Sequence, residues 1–194
     1  ALVSSGTFTT VAWLNGLGKF VATRTGSSSM YCSTDITGTT WSNATTPSAI
    51  APNSVYYNTT INLALAVGNA FLWYSTNGVT WTNCTYPALA GGNKFNAVMN
   101  SPVSALIAVY SNIANSVDQM YYSIDAINWT AITLAGGTFG YSTSKTSTVA
   151  FNPSNYAYAL SNIGSVDVVQ KIGPITSASM IYGVGVTSGY MENE

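Results

Sequence analysis

Short apolar runs closed by Asn recur four times along the chain: Val11-Ala12-Trp13-Leu14-Asn15, Val55-Tyr56-Tyr57-Asn58, Ala97-Val98-Met99-Asn100 and Val149-Ala150-Phe151-Asn152. After a short turn each is followed by a second run, more apolar still: Phe20–Thr23, Leu63–Val67, Leu106–Tyr110 and Tyr156–Leu160. These second runs lack polar alternation, which predicts strands covered on both faces. Gly26, Gly68, Asn112 and Asn162 close them. A third run, Met30–Cys32, Phe71–Tyr74 or Met120–Tyr122, leads into a polar turn that ends in Trp. A fourth strand is expected to start at that Trp and to pass into linkers rich in Thr, Pro and Gly. No window carries apolar residues at helical spacing over three turns, so no helix is expected.

The polar turn has its own composition. Its copies are Ser33-Thr34-Asp35 through Gly38-Thr39-Thr40-Trp41, then Ser75-Thr76-Asn77-Gly78-Val79-Thr80-Trp81, then Ser123-Ile124-Asp125-Ala126-Ile127-Asn128-Trp129. Ser and Asp or Asn oxygens accept hydrogen bonds from nearby backbone N–H groups, Gly supplies a positive φ, and the Trp covers the turn with apolar area. The tryptophans lie 40 and 48 residues apart. A period of roughly 40–50 residues with four strands per unit is the pattern of propeller blades. The chain is thus expected to be all-β: one domain over 1–194 built from four antiparallel four-stranded repeats, near 8–46, 50–88, 92–135 and 140–182. They form four small blades, closed in one chain or completed by another. The fourth repeat lacks the turn motif and offers Val166–Gln170 and Ser179–Tyr182 in its place.

Composition narrows the function. Of 194 residues 47% are hydrophobic but only 6% charged, against about a quarter in an average globular protein. A surface made of Ser, Thr, Asn and Gly suits extracellular and virion proteins that pack against copies of themselves. With cations only at Lys19, Arg24, Lys94, Lys145 and Lys171, and a formal net charge of −1, no basic stripe exists to meet nucleic acid. No run of eighteen apolar residues predicts membrane insertion. The first residue is Ala1 rather than Met, as in a processed chain or a segment of a longer one. Cys32 and Cys84 flank two of the turns and either bridge the first two repeats or sit as buried thiols.

The turn motif resembles the Asp-box, or BNR repeat, Ser-x-Asp-x-Gly-x-Thr-Trp, which recurs in sialidases, sortilin-like receptors, secreted bacterial β-propellers and phage tail proteins. The first copy is one residue longer than the pattern and the other two one shorter. Asn77 stands for Asp, and Ala126 stands where the second copy has Gly78, so a positive φ there costs energy that Gly avoids. The resemblance implies a folding role on the blade periphery. It assigns Ser33, Asp35, Trp41, Ser75, Asn77, Gly78, Trp81, Ser123, Asp125 and Trp129 to the structure of the turns.

Sialidases of this resemblance use three arginines, a Tyr–Glu pair and an Asp acid, whereas Arg24 is the only Arg here and Glu192 and Glu194 are the only glutamates. A glycosidase needs two positioned carboxylates. With Asp35 and Asp125 in turns, Asp118 and Asp167 are the remaining pair, and two surface residues are the simpler reading. The absence of His removes the usual triad and zinc clusters. No catalytic residue, cofactor or metal is expected. Among the aromatic residues Trp13, Tyr141, Tyr56 and Tyr121 are candidates to stack on a sugar, against the alternative that strand Tyr rings pack between blades. Glycosylation sequons lie at Asn43, Asn58, Asn83 and Asn128, a number that this Asn-, Ser- and Thr-rich composition yields by chance. The sequence is therefore read as a non-catalytic surface component of a virion, such as a phage tail, fibre or capsid-decorating protein. Its expected partners are copies of itself or other virion proteins, with contact to a host surface. The alternative is a secreted glycan- or receptor-binding propeller, and a degenerate glycoside hydrolase dependent on Asp118 or Asp167 is the third reading.

Overall fold

A computed structural model describes residues 7–24, 30–50, 52–69, 71–87, 94–100, 106–112, 117–132, 134–135, 149–151, 156–163, 166–174 and 186–190. The chain divides into two compact units, Ala1–Thr85 and Tyr86–Glu194. Each unit carries two sheets.

In the first unit, β1 (Phe8–Leu14), β2 (Lys19–Arg24), β3 (Met30–Ser33) and β4 (Trp41–Asn43) form an antiparallel sheet in sequence order. β5 (Ser54–Asn58), β6 (Leu63–Gly68), β7 (Phe71–Ser75) and β8 (Thr82–Asn83) repeat the arrangement. Each strand thus hydrogen-bonds to its neighbour in sequence, the outcome expected when short turns join consecutive apolar runs. The 3-10 turn Asn15–Leu17 joins β1 to β2 and is the only helical element among the described residues.

All six residues of β6 are buried, as its unbroken apolar run predicts. The core of this unit crosses from one sheet to the other: Leu14, Val21, Met30 and Cys32 meet Val55, Ala64, Ala66, Phe71, Trp73 and Trp81. Phe71 and Trp73 stack with centroids 4.0 Å apart. Trp73 is therefore core.

In the second unit, β9 (Lys94–Asn100), β10 (Leu106–Asn112), β11 (Val117–Ser123) and β12 (Thr130–Ile132) form the third antiparallel sheet. The fourth sheet has five strands. β14 (Val149–Phe151), β15 (Tyr156–Ile163), β16 (Val166–Pro174) and β17 (Val186–Tyr190) run antiparallel, and β13 (Leu134–Ala135) adds a parallel edge beside β17.

Two expectations shift. The last strand of this repeat is Val186–Tyr190, whereas Ser179–Tyr182 lies outside the described residues. In the second and third repeats the fourth strand begins one residue after the Trp, because the Trp side chain turns inward to close the turn before the ladder resumes.

Candidate functional site

The three Trp-ended turns are where side-chain chemistry concentrates. In the second turn the Gly78 N–H donates to Ser75 Oγ at 2.8 Å, and the Ser75 hydroxyl donates to Asn77 Oδ1 at 3.1 Å. The same Oδ1 accepts the N–H groups of Val79 and Thr80, both at 2.8 Å. One amide oxygen thus satisfies two backbone donors that a tight turn leaves without ladder partners. The third turn is built alike: Asp125 Oδ1 accepts from Ser123 Oγ at 2.9 Å, Ile127 N at 2.8 Å and Asn128 N at 2.7 Å.

The longer first turn needs more donors. Asp35 accepts from the Thr37 hydroxyl at 2.6 Å, from the N–H groups of Thr39 and Thr40, and from the hydroxyls of those two residues. Ser33 faces the other way and accepts the N–H of Phe20 at 2.8 Å. The threonines were not singled out in the sequence, although a Thr-rich stretch beside the Asp was the available signal.

These bonds set the electrostatics. The Thr37 hydroxyl first, and then Thr40 and Thr39, hold the Asp35 carboxyl well below the usual carboxylate range. At Asp125 burial pushes the pKa up, but the N–H and side chain of Asn128, with Ile127 and Ser123, outweigh it and bring the pKa down to about 2. Both carboxylates are committed to their own turns.

Gly38 and Gly78 adopt φ of 67° and 71°, and Ala126, with φ 60°, takes the same left-handed conformation despite its methyl. The third turn therefore carries a left-handed Ala where the second has Gly, with the strain kept. Trp129 is 4% exposed and donates Nε1 to Ala126 O at 3.2 Å, and Trp41 donates to Gly38 O at 2.8 Å. Trp81 is 3% exposed, and its Nε1 is buried without a hydrogen-bond partner.

The ligand candidates do not converge. Trp13 is half-buried, directly opposite Phe20 in the β1–β2 ladder, with ring centroids 4.6 Å apart; Phe20 lies 6.4 Å from Trp41. This row was missed because Phe20 reads as one more strand residue. Tyr56 is half-buried in β5, and Tyr141 lies outside the described residues. Tyr121 is a correction: it is 2% exposed and packed edge-on against Phe95, so its ring offers no face to a sugar.

One sequon is corrected in the same way. Asn58 is 3% exposed, and its Oδ1 accepts from Thr60 N and Ile61 N. Asn128 is exposed, and its Nδ2 donates to Asp125 Oδ2 at 2.7 Å. Asn43 and Asn83 are exposed.

Cys32 and Cys84 form no disulfide and are both buried. Each is held in its own sheet, the Cys32 thiol beside Ser42 Oγ at 3.4 Å and the Cys84 N–H on Leu72 O at 2.9 Å. Asp118 and Asp167 fall in β11 and β16, strands of different sheets. Among the described residues no cluster of three His, Cys, Asp or Glu could hold a metal, and no helix is long and apolar enough to cross a membrane.

No protein-family model matches the sequence, and no curated protein matches it. Its structure is similar to that of YCF48 from Cyanidioschyzon merolae, with a TM-score of 0.56 at 13% identity over 89% of this chain. The chain spans 53% of that protein, about half its length. A fructofuranosidase from Schwanniomyces occidentalis, complexed with fructosylnystose, matches with a TM-score of 0.41 at 13% identity, over 97% of this chain and 48% of that one. YCF48 is a β-propeller protein, and the all-β chain with its antiparallel sheets has a fold consistent with a propeller.

Proposed function

We propose that the protein is a non-catalytic structural component of a virion surface, a propeller-like unit of the Asp-box kind that assembles with copies of itself or with other virion proteins. The observation that carries this reading is the surface. Val11, Ile36 and Ile124 are exposed large aliphatic side chains on a chain that is only 6% charged. Such a surface gives up little hydration on contact with another like it, and little charge repulsion keeps copies apart.

The engagement of Asp35 and Asp125 within their own turns supports the absence of catalysis, since a carboxylate saturated by turn donors is a poor general acid or base. Electron microscopy of the native material tests the reading. Filaments, lattices or attachment to a particle are expected, and a purified chain that is monomeric and associated with no particle overturns it.

The half-buried Trp13 ring favours a second reading, a glycan- or receptor-binding module. It predicts saturable binding on a glycan panel that Trp13→Ala abolishes, and an empty panel counts against it.

A further inference from the structure

The chain holds two Asn-Gly pairs, Asn15-Gly16 and Asn77-Gly78. Such a pair is chemically labile. Gly has no side chain to screen its backbone nitrogen and turns freely about φ and ψ, so that nitrogen can reach the carboxamide carbon of the preceding Asn. The fold sets the two pairs in opposite surroundings.

At Asn77 the reacting groups are all engaged. Its Oδ1 accepts from the Ser75 hydroxyl at 3.1 Å and from Val79 N and Thr80 N at 2.8 Å, which fixes the carboxamide within the turn. The Gly78 N–H, on the nitrogen that would attack, donates to Ser75 Oγ at 2.8 Å. Gly78 is buried with φ 71°, and a Cβ on it would meet Leu14 Cδ1 at 2.9 Å, so its backbone has little room to swing. Cyclisation here would first have to break the turn.

Asn15 opens the 3-10 turn between β1 and β2, and both it and Gly16 are exposed. Among the described residues its carboxamide has no hydrogen-bond partner. The turn itself is closed by Gly18 N on Asn15 O at 3.4 Å, beyond the usual range for such a bond. Asn58, at the matching place in the second repeat, is instead buried with its Oδ1 on Thr60 N and Ile61 N, and is followed by Thr.

We infer that Asn15-Gly16 is a self-modification site, at which the folded chain deamidates through a succinimide while the box turn shields Asn77-Gly78. The Gly16 nitrogen bonds to Asn15 Cγ, the Cγ–Nδ2 bond breaks, and the Gly16 proton departs with the amide as ammonia. Water then opens the ring. Attack at Cγ restores the main chain and leaves an aspartate; attack at the main-chain carbonyl carbon leaves the chain running through Cγ, one methylene longer. No electrons are gained or lost. Either product alters the joint between the first two repeats, because a Cβ on Gly16 would collide with Asn62 Oδ1 and the Tyr57 hydroxyl of the β5–β6 hairpin. The inference goes beyond the assembly reading and does not depend on it.

Peptide mapping by mass spectrometry tests this on the folded full chain aged in mildly alkaline buffer, following the exchange of ammonia for water at each Asn. An isoaspartyl methyltransferase assay detects the lengthened product. Conversion at Asn15 is expected to be at least about tenfold faster than at Asn77, a barrier difference of about 1.4 kcal/mol. In guanidinium chloride, with both turns unfolded, the two rates should converge. Equal rates in the folded chain, or a faster Asn77, overturn the inference. So does a ratio that persists after unfolding, or a folded chain that keeps Asn15 intact for as long as the unfolded chain takes to convert it. Ser75→Ala, checked for folding by circular dichroism, removes the acceptor of the Gly78 N–H and should speed conversion at Asn77 alone. A folded Ser75→Ala chain with an unchanged Asn77 rate overturns the shielding.

Discussion

The backbone N–H of Trp81 bonds to the carbonyl of Thr45 at 2.9 Å, tying the turn of the second repeat to the linker that leaves the first. The bond places the Trp81 ring among Leu14, Val21 and Met30 of the preceding sheet. Trp81 therefore joins the first two repeats as well as closing its own turn.

Trp81→Ala consequently removes a side chain shared by two sheets, and a loss of roughly 3–5 kcal/mol is expected, the range for large buried aromatics. Trp41→Ala, at a half-buried ring, should cost less than Trp81→Ala. Urea unfolding of the two variants checks the order, and equal losses would place both rings in equivalent surroundings.

The left-handed turn residues give opposite expectations. Gly78→Ala imposes a left-handed penalty of about 1–2 kcal/mol on an L-residue, to which the approach to the buried Leu14 adds. Ala126→Gly relieves the same penalty but gives up a buried methyl worth about 0.8 kcal/mol and loosens the unfolded chain by about 0.4–1 kcal/mol. Its stability should therefore stay within about 1 kcal/mol of wild type, as measured by thermal or urea unfolding. A loss at Ala126→Gly as large as at Gly78→Ala would contradict the positive φ of Ala126.

Acid should act unequally on the turns. Asp125 has a folded pKa of about 2, lowered from an unfolded value of 3.8, so the stability it contributes is fully present above pH 4 and is lost as pH falls through about 2. Asp35, lowered further, keeps its contribution to still lower pH. Asn77 does not titrate. Stability measured from pH 5 to pH 2 should decline less steeply in Asp125→Asn than in wild type, and parallel curves would remove the carboxylate from the turn.

The cysteines predict insensitivity to redox conditions. Cys32 and Cys84 are buried and not bridged, so reductant should leave the melting temperature unchanged. Thiol titration should count two groups after unfolding, with slow reaction before it. A melting temperature lowered by reductant would indicate a bridge.

Much of this molecule is legible along the chain, because its repeats are local. The apolar runs mark β1, β2, β3 and their counterparts, since strand pairing between sequence neighbours needs only a short turn and two apolar faces. The Ser–Asp–Trp spacing also identifies the turns, because their hydrogen bonds join residues two to five apart. What the sequence left undetermined depends on packing. Tyr56 and Tyr121 look alike as strand aromatics, yet only the second is enclosed, by Phe95 from a strand about 26 residues away. The same holds for Asn58 and Asn83, identical as sequons, of which one is buried and the other exposed. Local pattern sets which backbone groups pair. Burial of a given side chain depends on what more distant parts of the chain lay over it, and Trp81 is buried where the tip bearing Leu14 and Lys19 and the linker at Thr45 meet its turn.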